Sequence, residues 1–127
     1  MKMNLTDFLI VFAGSGLGGV CRYGLSHAVA LNTGGVIFPW GTFAVNMLGC
    51  LLIGVIYGLA DRWSVLNPEL RLLLTVGFCG GFTTFSSFIN EDYMLFGASE
   101  FVTAAAYAAV SLFAGFGCVW LGNMIVR

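Results

Sequence analysis

Charge is what this chain has least of. Asp, Glu, Lys and Arg make up 9% of its 127 residues, whereas a soluble domain carries about 25%. The formal net charge is -1 and no basic patch occurs, so nothing recruits nucleic acid or an acidic partner. Histidine occurs once, at His27, isolated near a helix end and assigned no role. No zinc-ligand spacing, nucleophile with a base, phosphate loop or carboxylate pair is present, so enzyme chemistry has nothing to stand on. The four cysteines, Cys21, Cys50, Cys79 and Cys118, fall one per apolar span, with no CxxC pair and no disulfide framework. They read as small apolar packing residues.

What remains is apolar. Hydrophobic residues make up 59% of the chain and its mean hydropathy is +0.95. Four stretches reach the roughly 20 residues a helix needs to cross a bilayer. They run approximately Leu5–Ala30, Pro39–Ala60, Glu69–Glu91 and Glu100–Val126. The connections are too short for a soluble domain, so residues 1–127 read as one all-α, four-helix transmembrane domain. The run from Lys2 to Leu17-Gly18-Gly19-Val20-Cys21 has the outline of a signal or lipoprotein segment. Asp7 interrupts it and valine is a poor residue before a cleaved cysteine, so the first span is expected to be retained.

With four spans, both termini and the second connection share one side of the membrane. That side carries Lys2, Arg62, Arg71 and Arg127, and the other two connections hold neither lysine nor arginine. Taken alone, this bias favours cytoplasmic termini. Arg22, late in the first span, opposes it. Small residues four apart, at Gly14 and Gly18, Ser15 and Gly19, Gly54 and Gly58, and Cys118 and Gly122, let helix backbones approach closely in lipid. Four thin helices supply little wall for a pore, which favours an oligomer.

The third span is the most informative. Gly77-Phe78-Cys79-Gly80-Gly81-Phe82-Thr83-Thr84-Phe85-Ser86-Ser87-Phe88 sets glycines and hydroxyls at the centre of an apolar helix. Such a sequence predicts a break, and freed backbone groups at membrane depth persist only where protein or a polar cavity satisfies them. Polar side chains elsewhere line up with it. Thr42 and Asn46 share a face of the second span, and Thr103, Tyr107 and Ser111 repeat at the same interval in the fourth. A lone serine or threonine often only bonds back to its own helix, but a buried amide such as Asn46 must find partners. Among the charged residues, Glu91 lies one turn beyond the phenylalanines, where it and Asp92 are expected to close the third span. Arg22 lies within a helix, so it points to a water-filled vestibule or a carboxylate partner. Phe82, Phe85 and Phe88 serve either as packing or as an anion site, since ring edges are electropositive. Fluoride, small and strongly hydrated, is the anion for which such edges matter most.

These residues bring the chain to a known family. Arg22, Gly41-Thr42 with Asn46 and Gly49, and the motif from Gly77 to Ser87-Phe88-Ile89-Asn90-Glu91 resemble the small bacterial fluoride channels called Fluc or CrcB proteins. The resemblance covers essentially the whole chain. Phe82, Ser87 and Asn90 depart from the common pattern, and Gly115 stands where some members carry a hydroxyl. The resemblance implies a fluoride-selective channel in the bacterial inner membrane, multi-pass and in contact with lipid, allowing passive efflux. Phe85 and Phe88 would meet fluoride with their edges, with Asn46 donating. Thr42, Ser87, Tyr107 and Ser111 would form a polar track. Gly80 and Thr83 would offer backbone carbonyls to a structural sodium ion. Arg22 and Glu91 remain vestibule candidates. The resemblance further implies an antiparallel homodimer of dual-topology subunits, against the charge bias. The alternative is a small dual-topology proton-coupled multidrug exporter, which wants a glutamate inside the first span, where the early acid is Asp7 near its end. A second alternative is a non-transporting assembly subunit, whose glycine faces serve packing alone.

Overall fold

A computed structural model describes residues 2–127, and four spans cross it from end to end. They are Leu5–Asn32, Trp40–Trp63, Pro68–Gly97 and Phe101–Ile125, each long and apolar enough to cross a membrane. The chain is therefore a multi-pass integral membrane protein. Helix α1 (Leu5–Asn32) starts at a reciprocal cap: Asp7 N–H donates to Asn4 Oδ1 at 2.9 Å and the Asn4 backbone N–H donates to Asp7 Oδ2 at 3.5 Å. Gly35, at φ +85°, turns the chain toward α2 (Trp40–Trp63), which ends at Ser64 in the left-handed region.

The third span is not one helix. It opens with α3 (Pro68–Leu72), where Asn67 Oδ1 caps Leu70 N–H at 2.7 Å. It widens into a π-helical segment, Leu73–Cys79, and recovers α geometry for α4 (Gly80–Phe82). Thr75 Oγ1 donates to the Arg71 carbonyl at 2.7 Å, competing for the acceptor that an α-helical amide would use. The helix then stops. Thr83 is extended, at φ -86° and ψ 160°, and α5 (Ser86–Gly97) restarts after Phe85. The interruption expected from Gly80-Gly81 and Thr83-Thr84 is present, and it falls just after the glycines. The span continues beyond Glu91 and Asp92, where the sequence alone predicts its close, as far as Gly97. The reason lies across the helix interface: Tyr107 Oη of α6 (Phe101–Ile125) donates to Glu91 Oε1 at 3.4 Å, so the acid is accommodated inside the bundle.

Small residues let the helices touch backbone to backbone. A Cβ on Gly14 would lie 2.7 Å from the Leu73 carbonyl oxygen, and one on Gly18 would collide with that of Phe78. Gly54 and Gly122 stand in the same relation to the Val119 and Leu51 carbonyls, joining α2 to α6. Gly19 faces open space, so only Ser15 of that pair meets the third span. Few side chains are left to bury, chiefly Val45, Cys79, Phe82, Ala104 and Tyr107.

Overpacking such a contact costs about 1–3 kcal/mol. Gly122→Ala should therefore lower the thermal unfolding midpoint of the purified protein. Gly117→Ala, where a Cβ meets open space, should leave it unchanged.

Candidate functional site

The break creates backbone groups that need partners. The last carbonyls of a helix and the first N–H groups of the next have no intrahelical partner. Cys79 O accepts from Thr83 N–H at 3.0 Å and Thr83 Oγ1 at 2.8 Å. Gly81 O accepts from Arg22 Nε at 3.1 Å. Thr84 is held from α2: its N–H donates to Asn46 Oδ1 at 2.8 Å, and Asn46 Nδ2 donates to its carbonyl at 2.9 Å. Asn46 thus pairs with the backbone at the break as another backbone would. Thr84 Oγ1 caps the next helix by accepting from Ser87 N–H at 3.2 Å.

Among the described residues, three carbonyls at the break accept no hydrogen bond, those of Gly80, Phe82 and Thr83. The usual partner of Gly80 O is Thr84 N–H, which Asn46 has taken, and that of Thr83 O is Ser87 N–H, which Thr84 Oγ1 has taken. Gly80 and Thr83 line a groove of about 560 Å³ together with Asn46, Phe85, Phe88 and Ser111. The break can approach α2 because position 49 is glycine; a Cβ there would collide with the Thr83 methyl.

Aromatic contacts fix one of the two phenylalanines and not the other. Phe88 meets Tyr107 in a T-shaped pair at 4.9 Å, and Tyr107 meets Phe38 in another at 5.1 Å. Tyr107 is completely buried. Phe85 lies 6.0 Å from Phe88 and is 75% exposed, so its ring stands on the outer face of the subunit. Beyond Phe88 lies a second cavity of about 420 Å³, lined by Thr42, Glu91, Tyr23 and His27 among others. Tyr107 touches Phe88, which lines the groove, and Glu91, which lines the second cavity.

The residues singled out from sequence thus fall into groups. Asn46, Phe85, Phe88, Ser111, Gly80 and Thr83 share the groove; Thr42 and Glu91 share the second cavity; Tyr107 touches a residue of each; Ser87 lines neither. Arg22 does not line either cavity, and its partner is a carbonyl at the break rather than a carboxylate. Sequence reading missed Thr84, the true partner of Asn46, although it stood inside the motif. It also missed Phe38, which sits in a connection with no marker, and His27, which lines the second cavity and stacks on Tyr23 at 5.9 Å.

A family model described as CrcB-like protein, Camphor Resistance (CrcB), matches residues 9–123. The chain belongs to the CrcB family. Curated CrcB relatives are similar along nearly their entire length. A protein of Phocaeicola vulgatus is 45% identical over 93% of this chain and 96% of its own. One of Chlorobaculum tepidum is 45% identical over 98% of both chains, and one of Leptospira interrogans 36% identical over 98% of both. Each of the three is named a fluoride-specific ion channel, FluC. The break, Asn46 and both phenylalanines all lie inside the stretch matched by the CrcB model.

The Asn46–Thr84 pairing has a direct consequence. A buried polar group left without its partner costs about 1–3 kcal/mol. Asn46→Ala should therefore speed amide hydrogen exchange at Thr84 by about tenfold or more, with exchange in α6 unchanged.

Proposed function

We propose that the chain is the subunit of a fluoride-selective ion channel that lets fluoride leave the cytoplasm passively. The observation that carries this reading is the groove itself, where Asn46, Phe85 and Phe88 converge on a helix break at membrane depth. A side-chain amide has two N–H groups. One on Asn46 serves Thr84, and the second is available to an anion in the groove. The first turn of α5 adds N–H groups and the positive end of a helix dipole. Ring edges of Phe85 and Phe88 supply weak positive potential in place of lost water. Weak, multiple donors suit conduction, because a permeating ion must bind and then leave. The names carried by the CrcB relatives support fluoride as that ion.

Passive flow matches the biological need. Hydrogen fluoride enters from an acid medium and dissociates in the more alkaline cytoplasm, and a negative-inside potential then drives the trapped anion out. A proton-coupled exporter needs an acid inside the first span, and Asp7 is engaged in the cap at the start of α1. Glu91 lies in the third span, against Tyr107.

Fluoride-conducting walls require a second subunit on this reading. Phe85 stands on the outer face, so its free edge needs a neighbour to enclose a pore. An antiparallel homodimer of dual-topology subunits supplies one, with two symmetric pores. The carbonyls of Gly80 and Thr83 fit a hard cation, which favours oxygen ligands. Two such carbonyls are too few for one ion, and a facing copy would double them. Bound sodium would hold the two breaks together, with no part in moving fluoride.

Efflux from liposomes tests this. Voltage-driven fluoride release after a potassium ionophore, with no chloride release and no need for a proton gradient, is expected. Phe85→Ile and Asn46→Ala should each slow it by about tenfold or more, the equivalent of roughly 1.4 kcal/mol at the barrier. Well-folded protein that releases no fluoride, or releases it only against a proton gradient, would overturn the proposal.

A further inference from the structure

We infer that Arg22 is a positioning residue that decides which carbonyls at the break stay free for a cation. The inference rests on the sodium reading above and concerns how α1 serves that site. The half-helix ending at Phe82 presents its last four carbonyls from Cys79 to Phe82. Left alone, they would compete for any ion and for each other's donors. Arg22 removes one of them, taking the Gly81 oxygen at 3.1 Å, and neither residue lines the groove. Thr83 removes another, at Cys79. Gly80 and Phe82 keep carbonyls without a donor, and of these two residues Gly80 lines the groove.

The scaffold around Arg22 is built for this reach. α1 lies against the third span with no side chain between: a Cβ on Gly81 would collide with the Ser15 carbonyl, and one on Gly18 with the Phe78 carbonyl. Ser15 Oγ adds a donor one turn earlier, to Gly77 O at 3.4 Å. The Arg22 charge also lies at the carbonyl end of a helix, where a cation is favoured, and this accounts for an arginine inside an apolar span without a carboxylate partner. Hydrogen bonds from a charged donor are stronger than neutral ones. Losing this one should let the Gly81 carbonyl swing and carry Gly80 with it.

The test is the sodium dependence of thermal unfolding of the purified full-length protein, with N-methylglucamine replacing sodium. The wild type is expected to gain stability as sodium rises. Arg22→Met should need about tenfold more sodium for the same gain, the scale expected for one charge-assisted hydrogen bond. Arg22→Lys, which keeps the charge, should recover most of that loss. A merely structural arginine would lower stability equally at every sodium concentration. Should Arg22→Met fail to fold, Arg22→Gln, which retains an N–H donor but no charge, makes the same comparison. A responsive wild type beside a variant that responds at the same sodium concentration overturns the inference alone. A wild type indifferent to sodium overturns the cation reading and this inference with it.

Discussion

Everything in this structure follows from one constraint: a helix interrupted inside a bilayer must have its freed backbone groups satisfied by protein or turned to a polar cavity. The interruption at Thr83, Thr84 and Phe85 exposes carbonyls on one side and N–H groups on the other. Water cannot serve them in hydrocarbon. Two side chains from other helices serve part of them, Asn46 from α2 at Thr84 and Arg22 from α1 at Gly81, and the Thr83 and Thr84 hydroxyls serve others. Asn46 and Arg22 are polar residues that would be costly in the membrane without such partners. Their presence and the break explain each other.

Packing by small residues sets where that break sits. Gly14, Gly18 and Gly81 bring α1 onto the third span, and Gly49 admits the Thr83 methyl against α2. Close contact at these points leaves the opposite side of the third span open, as the groove and the exposed ring of Phe85 record. On the proposed reading, that open side is where a second copy docks. The same break then serves two purposes, since carbonyls at the end of α4 suit a cation and the start of α5 suits an anion. One irregular segment accounts for both without any mid-span carboxylate at the site of the phenylalanines.

The spans were legible because hydropathy over about 20 residues is a strong signal, and the break was legible because Gly80-Gly81-Phe82-Thr83-Thr84 is implausible in an unbroken membrane helix. Asn46 was legible as a buried amide in want of partners, though not which partners. Three features left no trace. The π-helical stretch from Leu73 to Cys79 changes hydrogen-bond register without a compositional marker. Helix α5 carries Glu91 and Asp92 well inside the span, because Tyr107 on α6 receives the first of them, and that contact spans distant parts of the chain. Arg22 looked like a vestibule residue because its carbonyl partner lies 59 residues away. Local pattern reveals which groups need satisfaction; long-range geometry alone reveals what satisfies them.

The central claim is that the break is completed by a second copy of the chain. The most direct measurement is an experimental structure of the purified assembly prepared in sodium and fluoride. The account predicts two antiparallel copies with their breaks facing each other, the Gly80 and Thr83 carbonyls of both converging on one bound cation. It also predicts that Phe85 is enclosed by the neighbouring subunit. A monomer, or an assembly in which Phe85 and the groove face lipid, would contradict it.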